Sequence, residues 1–363
     1  METSHPNAWQ KSIEERVELF KAYHRRENVR PLFGFFKGSE YPLFRYPFSR
    51  TLPEGRALRP DDFDISAFVA DAEQLFLEHE ACGGGFIYSA SAFWGIPWLE
   101  AALGCPIFAS QATGSIYCEP PPEFTPDALP EFSRDNPWMR LMVEMLEALK
   151  AKSGGRFPLA TTRMRGVADL LSALYGGDNL VYAMFDRPDE VARAAHHVTD
   201  LFIRCGSLQL EHIPAFHGGI GSFYYHMWAP AGTVWHQEDA AALLSPDLYA
   251  EFIEPCDRRI VAAFPHVVMH QHSTGYVPTD AYLDMGMSVL ELHIDSGGPS
   301  AQDLYERHLT ILAQRPLLIW GDIPKADLDW LFSKLPPKGL AIITVVESPE
   351  QAHDLWRTYV EHR

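Results

Sequence analysis

The residues with the most chemical potential are two histidines one residue apart, in Val267-Val268-Met269-His270-Gln271-His272-Ser273. The apolar, β-branched lead-in reads as a strand, and in a strand side chains two apart share a face, so His270 and His272 point the same way. Two imidazoles on one face make half of a metal site. A second stretch, Val289-Leu290-Glu291-Leu292-His293-Ile294-Asp295, alternates strictly, with Glu291, His293 and Asp295 on one face and the apolar residues on the other. Two more apolar runs end in Trp320-Gly321-Asp322 and Val345-Val346-Glu347. Two imidazoles and a carboxylate form a ligand set for zinc or for a non-haem Fe(II) site with open positions. The expected ligands are His270, His272 and Glu347, with Asp295 or His293 as a fourth ligand or as the group that orients an imidazole. Asp295 and Asp322 read equally well as helix caps. Glu347 does not, because Ser348-Pro349 behind it already supplies the cap and the first helical position.

A second polar group comprises His217, Tyr224, Tyr225, His226 and Trp228, followed by Trp235-His236-Gln237-Glu238-Asp239. His226, His236 and Asp239 are the acid/base candidates. Tyr224, Trp228 and Tyr276 are candidate substrate contacts, although aromatics there serve packing as readily as recognition. Arg163 and Arg165 could hold a substrate carboxylate bidentately or form ion pairs with neighbouring acidic helices.

The elements that would position these groups repeat as strand then helix. Strands are expected at 31–36, 84–89, 157–162, 219–227, 267–273, 288–295, 317–322 and 340–346. Helices are expected at 8–29, 66–82, 166–183, 188–212, 246–263 and 349–361, with a helical excursion over 92–156. Eight such units over 363 residues predict one (β/α)8 barrel domain spanning 1–363, with its active site at the C-terminal ends of the strands. No Gly-rich phosphate turn opens a helix, which argues against nucleotide binding.

A net charge of -18 without a basic cluster excludes a nucleic-acid partner, and the absence of a long apolar run excludes a membrane span. Five scattered cysteines imply neither a disulfide framework nor a cysteine-rich zinc site. With a polar N-terminus, these features predict a cytoplasmic protein.

Four segments in order, Phe93-Trp94-Gly95-Ile96-Pro97-Trp98 through Gly104, Pro188-Asp189-Glu190-Val191, Leu244-Ser245-Pro246-Asp247-Leu248-Tyr249 and Gly286-Met287-Ser288-Val289, resemble the uroporphyrinogen decarboxylase superfamily over nearly the whole chain. The resemblance implies a (β/α)8 barrel and, in the decarboxylase branch, a homodimer. That branch carries an Arg-rich loop after the first strand, where this chain reads Phe35-Phe36-Lys37-Gly38-Ser39-Glu40, so porphyrinogen is not the expected substrate. The zinc-dependent methyltransferase branch resembles the chain more closely. Its members bind zinc through a His-x-Cys strand end and a later Cys. By that resemblance His270 matches the histidine, His272 stands at the first Cys, His293 or Asp295 falls near an intermediate ligand, and Glu347 falls near the later Cys. Imidazole and carboxylate ligands would make the metal a harder Lewis acid than thiolates do. The resulting expectation is a metal-dependent methyltransferase or demethylase acting on a small carboxylated or aromatic substrate, and the resemblance admits a corrinoid protein as partner. A metal-independent decarboxylase or lyase using pocket histidines and a non-catalytic ligand-binding barrel are the alternatives.

Overall fold

The computed structural model describes residues 11–39 and 41–361. Residues 8–10 of the expected first helix, and Glu40 of the first-strand loop, lie outside the described residues. Ten strands are found among them: β1 (Leu32–Lys37), β2 (Ile107–Ser110), β3 (Ser115–Cys118), β4 (Gly219–Ser222), β5 (Met227–Pro230), β6 (Thr233–Gln237), β7 (His266–Gln271), β8 (Val289–His293), β9 (Leu317–Gly321) and β10 (Leu340–Val346). Six of them form one parallel sheet in the order β1-β10-β9-β8-β7-β6. Their runs of Leu, Ile, Val and Phe are buried on both faces, as parallel strands covered by helices require. Helices follow the strands: Thr279–Asp284 after β7, Tyr305–Gln314 after β8, Lys325–Lys334 after β9 and Pro349–Trp356 after β10. Ser348 caps the last of these, accepting from Gln351 N at 3.3 Å with Pro349 at its first position.

The architecture is an α/β fold around this sheet. The expected second and third strands, 84–89 and 157–162, are extended segments tied by isolated contacts. Gly85 N donates to Phe33 O at 2.8 Å beside β1, Ala90 bridges Leu159, and Arg165 bridges Gln237 of β6, the last two in parallel sense. Their ladders stay short because Gly83 and Gly84 adopt positive φ, Pro158 lacks a donor, and Gly221 of an inserted hairpin donates to the Leu159 carbonyl.

That hairpin corrects the expected fourth strand. Residues 219–227 do not run straight. β4 and β5 pair antiparallel, and the chain reverses between them with positive φ at Tyr224 and His226. The strand that joins the parallel sheet is β6, six residues beyond the expected end. The aromatic-rich run 223–228 mimics a strand in composition, but it is split by a tight turn. Two helices are also broken: the one expected at 166–183 divides at Gly176 (φ 80), and that at 246–263 passes through a π-helical turn at Tyr249–Ile253. The 92–156 excursion contains the β2–β3 hairpin as well as the helix Pro137–Ser153. Among the described residues no helix is long and apolar enough to cross a membrane.

Candidate active site

The C-terminal ends of β6, β7 and β8 deliver one cluster. In parallel register Gln237 lies beside His270 and His270 beside Glu291. Alternation then sends Trp235, Gln237 and Asp239 to one side of β6 and His236 and Glu238 to the other. The Nε2 atoms of His270 and His272 stand 3.2 Å apart. Asp239 Oδ1 is 3.9 Å from the first and Asp239 Oδ2 is 3.7 Å from the second. The opposite ring nitrogens are held by carboxylates: His270 Nδ1 lies 2.5 Å from Glu291 Oε2, and His272 Nδ1 lies 2.7 Å from Asp295 Oδ1. Tyr225 OH donates to Glu291 Oε2 at 3.0 Å, and Ser273 N and Oγ both donate to Asp295 Oδ2.

A carboxylate only accepts, so each Nδ1 facing one carries the ring proton and each Nε2 presents its lone pair. Burial opposes a charge on these rings, yet Glu291 raises His270 above its ordinary pKa, and the neighbouring Asp239 carboxylate and the hydrogen-bonded Asp295 push His272 up to about 11. Asp239, despite burial, is held down to about 2 by the two histidines. The cluster therefore favours positive charge between the nitrogens and the Asp239 carboxylate.

Donors bound to zinc at about 2.0–2.1 Å stand roughly 3–3.5 Å from one another in a tetrahedral site. The 3.2 Å separation of the imidazoles matches this spacing, and Asp239 is slightly farther away. Two imidazoles and one carboxylate, each imidazole backed by a second carboxylate, suit zinc or Fe(II).

The cluster lines a cavity of about 480 Å³ together with Arg163, Tyr224, Trp235, His293 and Trp320, and it also borders a smaller cavity of about 180 Å³ lined by Tyr276 and Tyr282. Arg163 Nη2 donates to Gly95 O, and no carboxylate among the described residues lies within ion-pair distance of it. Burial and the neighbouring Arg165 lower its pKa. His293 has its pKa pushed down to about 4, chiefly by burial, and its Nε2 is 3.7 Å from Asp295 Oδ1.

Several sequence expectations are not met. Glu347 is exposed and does not join the cluster. The chain turns into the last helix directly after β10, where Glu347 N donates to Gln351 Oε1 at 2.8 Å, and Asp239 stands in its stead. His226 is buried outside the cavity: Ser89 N donates to its Nδ1 at 3.3 Å, its Nε2 lies 3.0 Å from Arg45 Nη2, and its ring stacks on Phe36. It therefore cannot touch a substrate there. His236 sits on the outer side of β6, 2.9 Å from Asp257 Oδ1 and wholly buried. Trp228 donates to Phe216 O and packs near the first helix, where its own carbonyl is 3.2 Å from His24 Nε2, away from the cavity. Arg165 is taken up by Glu100 at 3.1 Å and Asp169 at 3.5 Å, which leaves Arg163 as the arginine that lines the cavity.

The sequence pattern places Glu291 on the face of His293 and Asp295 without a role and points to Asp239 only as an acid or base. The register of β8 on β7 was the missing signal, since it sets Glu291 beside His270. A second acidic group, His236 with Glu238 and Asp257, is fully buried; the His236 Nε2 atom and both carboxylates are engaged, while His236 Nδ1 has no partner among the described residues. Glu238 accepts from Val167 N and Ala168 N at 2.6 and 2.8 Å, and Asp257 accepts from Tyr249 at 2.7 Å.

No family model and no curated protein sequence matches the chain. Its structure is similar to that of a methyltransferase from Methanosarcina mazei, with a TM-score of 0.63 and 14% sequence identity, over 94% of this chain and 98% of that one. At that identity the likeness is one of fold: this chain has, along nearly its whole length, an α/β fold like that of a methyltransferase.

Proposed function

We propose that the chain is a metal-dependent methyltransferase or demethylase built as a (β/α)8 barrel of the uroporphyrinogen decarboxylase superfamily, acting on a small carboxylated or aromatic molecule. The observation that carries this reading is the convergence of the two Nε2 lone pairs and Asp239, with Glu291 and Asp295 behind the rings. The fold-level likeness to a methyltransferase supports it. The parallel bridges through 90, 159 and 160 and through 165 and 237 support the eight-unit barrel.

His270, His272 and Asp239 would hold zinc or Fe(II), which in such a set supplies Lewis acidity toward a substrate heteroatom. Among the described residues no cysteine lines the cavity, so thiolate ligands of the kind that enrich zinc with electron density are not available there. Glu291, Tyr225 and Asp295 fix the ring orientations, Arg163 offers a cation to an acidic group, and Trp235 and Trp320 restrict water near the reacting atoms. The superfamily resemblance would add a corrinoid protein as methyl carrier and a homodimeric state.

Elemental analysis of the purified protein tests the metal, with one zinc or iron per chain expected. With a corrinoid methyl acceptor supplied, metal-restored protein should transfer the methyl group of methoxylated, carboxylated small molecules to that acceptor and release the hydroxyl product, and His270→Ala should not. Turnover confined to a thiol acceptor would defeat the Lewis-acid reading. A second reading, a metal-free lyase, is favoured by the same 3.2 Å separation, which a shared proton also satisfies; undiminished turnover in chelator would select it.

A further inference from the structure

The 480 Å³ cavity combines three features in its lining. The first is Arg163, a guanidinium with no carboxylate partner among the described residues. Its neighbour Arg165 shows the contrast, since Glu100 and Asp169 already neutralise it. Glu100, Asp169 and Asp239 act on Arg163 only from beyond ion-pair contact; a partly buried cation without a direct carboxylate contact is costly, and an anionic ligand would offset that cost.

The second feature is aromatic density. Tyr224 and Trp320 meet edge to face at 5.2 Å and 86°, and Phe223 and Trp235 at 5.2 Å and 79°. Trp235 in turn stacks on His270 at 5.5 Å, while Trp320 meets His293 at 5.9 Å. One indole therefore stands against His270 and the other against His293, and such faces and edges favour a flat π-system. The third feature is the cluster itself, which takes a heteroatom. The volume falls within the range of pockets that hold small ligands.

We infer that the substrate is an arenecarboxylate that carries a hydroxyl or alkoxyl substituent, with its carboxylate on Arg163, its ring between the aromatic walls and its substituent oxygen toward His270 and His272. The position of the oxygen rests on the proposed metal chemistry. The anion and ring subsites do not, and they can be measured without metal.

The test is calorimetric binding of benzoate, cyclohexanecarboxylate, methoxybenzene and 3-methoxybenzoate to metal-free and zinc-loaded protein, in the parent, Arg163→Gln and Arg163→Lys. Benzoate should bind the metal-free parent at least tenfold more tightly than cyclohexanecarboxylate or methoxybenzene does. Arg163→Gln should weaken benzoate at least tenfold, and Arg163→Lys should recover part of that loss, which separates lost charge from a damaged fold. Equal affinity for benzoate and methoxybenzene, equal affinity for benzoate and cyclohexanecarboxylate, or parental benzoate binding by Arg163→Gln would each overturn the inference. Zinc should tighten 3-methoxybenzoate and leave benzoate unchanged. If Arg163 dependence and ring preference hold but zinc has no effect on 3-methoxybenzoate, the metal reading and the oxygen placement fall while the anion and ring subsites stand.

Discussion

His270 and His272 present their Nε2 atoms to each other at 3.2 Å while their Nδ1 atoms are engaged by Glu291 and Asp295. Two lone pairs at that distance repel unless a cation or a shared proton lies between them, so the backing carboxylates are what commit the pair to binding positive charge. Glu291→Gln and Asp295→Asn should each lower zinc affinity by roughly 10–100-fold, the usual effect of removing a group that orients a ligand. Competition titration against a chromophoric chelator measures this, and parental affinity in both variants would show the carboxylates to be incidental.

Asp239 and Glu347 give opposite expectations. Asp239→Ala removes a cluster carboxylate and should abolish stoichiometric metal, whereas Glu347→Ala alters an exposed residue outside the cluster and should retain it. Metal content of the two purified variants decides between the sequence-derived and structural ligand sets.

The turn that carries Asp239 is clasped from both sides. Glu238 accepts from the first two backbone N–H groups of the helix Val167–Tyr175, and Asp169 of that helix accepts from Ala240 N at 2.6 Å. Glu238→Ala leaves those donors unsatisfied and should cost about 1–3 kcal/mol of stability. Gly166→Ala should be at least as damaging, because an added Cβ collides with the Glu238 carboxylate and the Gln237 carbonyl. Thermal melts and zinc titration of both variants should fall together; a stability loss with parental zinc affinity would separate the clasp from the site.

His79 and His226 pack 4.9 Å apart and close to Arg45, whose guanidinium lies 4.0 Å over Phe36. Burial lowers His79 to about 4 against the opposing charge of Glu80, and burial followed by His79 and Arg45 lowers His226 well below 6.5. Unfolded imidazoles take protons near pH 6.5 while the buried rings do not, so stability is intact above that pH and declines as pH falls toward 4. Each ring contributes about 1.4 kcal/mol per pH unit in that window. Urea midpoints between pH 7 and 4.5 should fall less steeply in His79→Gln than in the parent, and parallel slopes would count against this assignment.

The histidine pair, the alternating strand 289–295 and the strands around them were legible because period-2 patterning survives wherever one side of a strand faces a polar cavity. What was not legible depended on long-range register. Nothing local distinguishes His226 in a turn from a strand-end histidine, or tells that His236 faces helices while Asp239, three residues on, faces the cavity. Glu347 ends an apolar strand as expected, yet the helix that starts immediately behind it leaves its side chain in solvent. Arg163 and Arg165 were inseparable by spacing, and only the positions of Glu100 and Asp169 distinguish them.

The reversal between β4 and β5 places three consecutive side chains in three different neighbourhoods: Tyr224 lines the cavity, Tyr225 reaches His270 and Glu291, and His226 meets Arg45. A length change of one residue there would pass each task to a neighbour unable to perform it, putting a phenol against the arginine or an imidazole against the glutamate. This turn is therefore a place where the chain tolerates substitution far better than insertion or deletion, and where a loop transplanted from another α/β protein would have to match in length before it could match in chemistry.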